Sequence, residues 1–273
     1  VTAEQPPAAA EEIPAPVAAE AAAVDETIAA DVVDEEGAPI PDVAADDDAE
    51  TPVASVVPLH RGPYLQMLGT VEVRGARGEA PVNPNTAAQW RSAIRRGTEL
   101  VAFLSVTPNA TAEQVHAVFW PGQPASGKKA ASDRNGLASK TRRWLGQNDE
   151  GEWYLPLITT GEYRLHEDVR TDWQDFLELV GDDLSAAPTD RLLGALDLVK
   201  GPPITGVQDK RYVFADRLRH EMIALIGDVA HEAATRGLTA GQVRQARMAS
   251  AIGRMVDPVN EIYWRDGLRA EHQ

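Results

Sequence analysis

Residues 132–146 read SDRNGLASKTRRWLG, and the stretches after them, EWYLPLI at 152–158 and GEYRLHEDV at 161–169, bracket a Thr-Thr-Gly turn. Stepping 100° per residue places Leu137, Thr141, Trp144 and Leu145 on one face of a helix over 132–145. Ser132, Asn135, Ser139, Arg142 and Arg143 fall on the other. The first face anchors the helix, and the second presents hydrogen-bond donors and two positive charges. The apolar-rich segments that follow predict a β-hairpin.

A cation-bearing helix backed by a hairpin is how a winged helix-turn-helix sets side chains into a DNA groove. Lys128 and Lys129 lie in the loop PGQPASGKKA ahead of the helix, where phosphate contact is reasonable. Arg164, on the hairpin strand, is placed to reach a minor groove or the backbone. The candidate contact set is therefore Lys128, Lys129, Asn135, Ser139, Arg142, Arg143 and Arg164. A solvated polar face is the competing reading for each.

On the N-terminal side, PYLQMLGTVEVRG (63–75) predicts a short β-hairpin or meander. A helix follows from about Thr86 to Ser105, with Gly97 as its weak point and Pro108 closing the region. Thr111-Ala-Glu-Gln114 reads as a capping box opening a short helix that stops at Pro121-Gly122. On the C-terminal side the chain reads as all-helical. Helices are expected over 172–180, from Pro188 to Val199, over 212–236, from a second capping box at Thr239-Ala-Gly-Gln242 to Met255, and from Asp257-Pro258 onward. Short glycine-containing joints suggest a tetratricopeptide-like array, although no clean repeat is legible.

The formal charge of −16 is unevenly spread. Residues 1–60 hold 15 acidic and no Lys or Arg side chains, residues 61–170 carry a net of +3, and residues 171–273 carry −4. The first segment is Ala, Pro, Val, Asp and Glu without an aromatic residue, so it has little to offset an ordering cost of about 1–2 kcal/mol per residue. It reads as a disordered acidic arm or linker, either a spacer or a DNA mimic that folds across the basic face. Charge also argues against DNA, since non-specific affinity scales with neutralised phosphates and a +3 domain exerts little long-range pull. The absence of cysteine excludes disulfides and thiolate metal sites and is compatible with a cytoplasmic setting. No run of about 18 apolar residues appears. The Val1 start suggests a fragment or processed chain, in which membrane contact would come through an upstream segment.

Enzymatic motifs are not found. The histidines at 60, 116, 166, 220, 231 and 272 show no ligand spacing, and no GxGxxG, P-loop or GxSxG occurs. His166-Glu167-Asp168 reads as a solvated turn. Asp172 and Asp175 read as cap and surface residues rather than a catalytic pair. Trp90, Trp120, Trp144, Trp173 and Trp264 read as core. No cofactor and no small-molecule substrate is implied.

Several ordered stretches carry a resemblance: GTELVAFLSVTPNATAEQVHAVFWPG (97–122), GLASKTRRWLG (136–146), GEYRL (161–165), DWQDFLELVG (172–181), ALDLVKGPPITGV (195–207) and NEIYWRDGLRAEH (260–272). Over about 63–273 the chain resembles the bacterial transcriptional activator domain proteins, the architecture of the Streptomyces antibiotic regulatory proteins. It looks closest to an actinobacterial subgroup with upstream membrane and LysM segments. The resemblance implies a mainly α fold: a disordered acidic arm (1–60), an OmpR-type winged helix-turn-helix with short β-hairpins (61–170), and a tetratricopeptide-like helical domain (171–273) that ends early. It departs from the family at Thr141, where the family helix usually has Leu. Its implied function is transcription regulation through double-stranded DNA, with 171–273 serving self-association or a protein partner in the cytoplasm. The alternative is a module that has lost DNA readout and binds proteins, tethered to a membrane or cell-envelope protein through the acidic linker.

Overall fold

The alternation in PYLQMLGTVEVRG becomes two short antiparallel strands, β1 (Tyr64–Gln66) and β2 (Glu72–Arg74), with Leu65 opposite Val73. The structure, a computed structural model, describes residues 60–80, 87–159 and 161–272. The acidic arm expected over 1–60 therefore lies outside the described residues up to position 59, as do the side chains of 87–90, Trp90 among them. The described residues are mainly helical.

Three helices follow the ribbon: α1 (Ala87–Val106), α2 (Ala112–Phe119) and α3 (Lys128–Leu145). Strand β3 (Ala110–Thr111) leads into α2, whose capping box forms as expected: the Thr111 hydroxyl accepts from Gln114 N–H and the Gln114 amide oxygen accepts from Thr111 N–H. Gly97 is less a weak point of α1 than a site of close approach, because a methyl group there would stand 3.0 Å from the Trp144 ring.

The hairpin expected after α3 does not form. No strand occurs over 152–158, and the second stretch divides into β4 (Glu162–Tyr163), which pairs antiparallel with β3, and β5 (Arg170–Thr171), which pairs parallel with β1. The two stretches meet where His166 N–H donates to Tyr154 O at 2.9 Å. Pro156 has no N–H to offer a ladder. The carbonyls of Leu155 and Pro156 are moreover taken by the Arg142 guanidinium.

Helices α4 (Asp172–Val180), α5 (Thr189–Asp197), α6 (Asp216–Thr239), α7 (Val243–Val256) and α8 (Glu261–Glu271) complete the chain, each packing on the next. The second capping box is absent: Thr239 closes α6, its hydroxyl donates to Thr235 O, and Gln242 takes the N-cap position of α7. The last helix is capped by Asn260 rather than Asp257, the Asn260 side chain accepting from Ile262 N–H. Small residues bring α6, α7 and α8 together. Tyr263 of α8 lies across Gly227 of α6 and Gly253 of α7, where an added Cβ would meet its atoms at 1.9 and 2.7 Å. Trp264, expected in the core, is 52% exposed, its indole N–H donating to Pro258 O.

The boundary expected at 170/171 falls inside β5, and elements from both sides share one apolar core running from Leu65, Leu68 and Leu100 to Phe176, Leu196 and Met222. On one side β1 is paired with β2, but the backbone just after it, Met67 to Gly69, is served from beyond that boundary. Lys200 N–H donates to Leu68 O, Ile204 N–H to Met67 O and Thr205 N–H to Gly69 O, at 2.7–2.9 Å. Asp172 and Asp175 are buried rather than surface residues. Asp175 accepts from the Arg170 guanidinium and the Tyr64 hydroxyl and sits 2.6 Å from His60 Nε2. Among the described residues no helix is long and apolar enough to cross a membrane, and no group of His, Asp and Glu is arranged to hold a metal.

Candidate nucleic-acid interface

Helix α3 starts four residues earlier than its sequence suggested. The loop ends at Gly127, whose φ of +97° suits glycine, and buried Ala130 anchors the first turn. Lys128 and Lys129 therefore stand on the first helical turn and not in the loop. Two cations beside the positive end of a helix are unfavourable. Asp133, 3.6 Å from Lys129 Nζ, offsets part of that.

The buried side of α3 is Ala130, Ala138, Thr141, Trp144 and Leu145, close to the expected face, with Leu137 at its half-buried margin. Thr141 keeps a fully buried hydroxyl with no hydrogen-bond partner, facing Gly97 of α1. The outer side carries Lys128, Lys129, Ser132, Asn135, Lys140 and Arg143, all exposed, with half-buried Ser139 beside them. Lys140 belongs to this face by its 20° offset from Lys129, yet sequence reading passed over it.

The arginines of α3 divide into two kinds. Arg142, expected to point outward, instead runs along the flank: its Nε donates to Leu155 O at 2.7 Å and its Nη2 to Pro156 O at 2.9 Å. Burial lowers its pKa. Arg134 likewise turns inward, donating to Ala125 O at 2.8 Å. These two hold the loop before α3 and the segment after it against the helix. Arg143 alone of the three is exposed. Arg164 is also exposed, in the segment after β4.

The C-terminus of α3 is fixed by a contact that no sequence motif announced. Arg77 N–H donates to Leu145 O at 2.9 Å and Gly78 N–H to Trp144 O at 3.0 Å, satisfying carbonyls the helix leaves open. A Cβ on Gly78 would overlap Arg143 O, so glycine is required for this approach. Beside it an open depression of about 390 Å³ is lined by Arg77, Arg143, Gln147 and Trp153. Arg77 is itself paired with Asp149. The His166 turn is an ordinary polar one, with His166 Nε2 3.0 Å from Glu152.

No family model and no curated protein matches the chain. Among solved structures it is similar to Mycobacterium tuberculosis EmbR in complex with a low-affinity phosphopeptide. The likeness has 14% identity and a TM-score of 0.41, covering 79% of this chain and 66% of that one.

Proposed function

We propose that this chain is a non-enzymatic, transcription-regulator-like protein that binds double-stranded DNA. In this reading residues 61–170 act as a winged helix-turn-helix-like unit in which α2 and α3 form the helix pair, α3 enters the major groove, and the segment 152–169 takes the place of the wing without closing into a hairpin. Helices α4–α8 form a tetratricopeptide-like effector region over 171–273, and the site of action is the cytoplasm. One observation carries the reading: α3 spends Arg134 and Arg142 on holding its own surroundings, while Lys128, Lys140 and Arg143 project without an ion pair among the described residues. Phosphate contacts would come from the lysines, and Asn135, Ser139 and Arg143 would face base edges. Arg164 would reach the flanking backbone.

The test is fluorescence polarisation with labelled duplexes drawn from a genomic library at several salt concentrations. Selected duplexes should bind tighter than a scrambled one, and Lys140→Ala/Arg143→Ala should weaken binding, relax sequence preference and reduce the salt slope by about 1. Equal binding of all duplexes, or none, would sink the reading.

A second reading has support of its own. Met248, Met255, Ile262, Trp264 and Leu268 are exposed on α7 and α8, which favours a protein partner or a second copy at the C-terminal helices. In the version without DNA readout, the acidic segment tethers this interaction module to a membrane or cell-envelope protein.

A further inference from the structure

A half-open cavity of about 380 Å³ lies between β2, the middle of α1 and the segment 206–212, on elements that the DNA reading does not use. That volume falls within the range of small-ligand pockets. Its apolar wall is Val71, Val73, Ile94 and Val207. At its base, buried Glu99 is fully engaged: Oε2 lies 3.1 Å from Arg96 and Oε1 3.1 Å from Arg211. Burial pushes the Glu99 pKa up and the two guanidiniums pull it down. The carboxylate is thus unavailable to a ligand, and the trio contributes net positive charge.

Arg91 and Arg95, one turn apart on α1, line the same cavity, are exposed, and have no carboxylate partner among the described residues. The Tyr212 ring closes one side. Its buried phenol has a raised pKa, chiefly from desolvation, and so remains a neutral hydroxyl. The wall 203–207 is held in place by Ile204 N–H to Met67 O and by Thr205, which pairs with Gly69 and Val71 at 2.9 and 3.0 Å. Glu72 and Thr98 also line the cavity, the Glu72 carboxylate being paired with Arg74. Two arginines without an acidic partner among the described residues, set over an apolar wall with neutral hydroxyls, suit an anion that carries an apolar body. Fully hydrated phosphate would leave the valine wall unused.

We propose that this cavity binds a small organic acid, with its carboxylate on Arg91 and Arg95 and its hydrocarbon or aromatic part against Val71, Val73 and Ile94. The site stands independently of DNA binding. The experiment is isothermal titration of the full chain with 1-naphthoate, its neutral analogue 1-naphthamide, and inorganic phosphate. Saturable one-to-one binding of naphthoate is expected, with naphthamide at least about tenfold weaker and phosphate unable to compete. R91Q/R95Q should lose about tenfold in naphthoate affinity with an unchanged circular-dichroism spectrum. Ile94→Phe, which fills the cavity without touching charge, should weaken naphthoate and naphthamide together. Absence of saturable binding, equal affinity for acid and amide, full affinity in R91Q/R95Q, or displacement by equimolar phosphate would each overturn the proposal.

Discussion

Asp172 grips the backbone of Met67 across 105 residues of sequence: both carboxylate oxygens accept from Met67 N–H, at 2.8 and 2.9 Å, and one also accepts from Leu68 N–H at 2.8 Å. The carboxylate is nevertheless so thoroughly desolvated that its pKa rises from 3.8 to about 6 despite those donors. A folded-state pKa above the unfolded one means that the native protein binds this proton more readily. The group's favourable contribution is then complete below about pH 4 and is lost as pH climbs to about 6, an effect on the order of 3 kcal/mol. Stability measured by urea unfolding should therefore carry a component that falls between pH 4 and 6 and is flat above. In Asp172→Asn that component should vanish; superimposable pH profiles of the two proteins would contradict it.

Arg142 and Arg143, adjacent in sequence, should behave oppositely. Arg142→Ala removes two charge-assisted hydrogen bonds to Leu155 and Pro156 and should cost about 1.5–3 kcal/mol of stability. Arg143→Ala, on the exposed face, should stay within about 0.5 kcal/mol of wild type while reducing DNA affinity. Denaturant midpoints and polarisation titrations of both variants separate the roles. A strongly destabilised Arg143→Ala would show that the division is wrong.

The unpartnered Thr141 hydroxyl predicts a stabilising change. Thr141→Val keeps the shape and removes a buried polar atom, so a gain of about 1 kcal/mol is expected from thermal melts. Gly97→Ala acts on the same contact from the other helix. It pushes a methyl to 3.0 Å from the Trp144 ring and should destabilise by about 1–3 kcal/mol. A neutral Thr141→Val would mean that the hydroxyl finds a partner in solution.

The exposed apolar residues of α7 and α8 give a prediction about association. If they meet a second copy, sedimentation should show a concentration-dependent dimer that Met248→Glu/Leu268→Glu abolishes without lowering the melting temperature. A monomer at all concentrations would leave a different protein partner as the reading for this face.

Much of the helical layout was legible because it rests on local signals. The Thr111-to-Gln114 box, the apolar stripe of α3 and the glycine and proline stops are written within a few residues of where they act. The misreadings share a cause. Whether Arg142 faces outward, whether 152–169 closes on itself, and whether Asp172 meets water all depend on partners set by tertiary structure. The inward turn of Arg134 has the same origin, since its sequence position alone put it near the buried side but named no acceptor. Trp264 shows the converse: an aromatic residue reads as core by composition, yet α8 places it on the outer surface. Gly78 could have been suspected as a site of close backbone approach, but nothing nearby pointed to the end of α3.

The encirclement of β1 also sets an order of events. Besides β2, the neighbours of β1 and the residues just after it are Arg170 and Thr171, the Asp172 carboxylate, and the backbone of Lys200, Ile204 and Thr205. During synthesis the backbone at Met67 to Gly69 therefore waits for its partners until some 140 further residues have left the ribosome. Contacts so distant in sequence slow the search for the native state and prolong the exposure of sticky intermediates. For this chain the moment of greatest vulnerability comes on the ribosome, before Thr205 emerges.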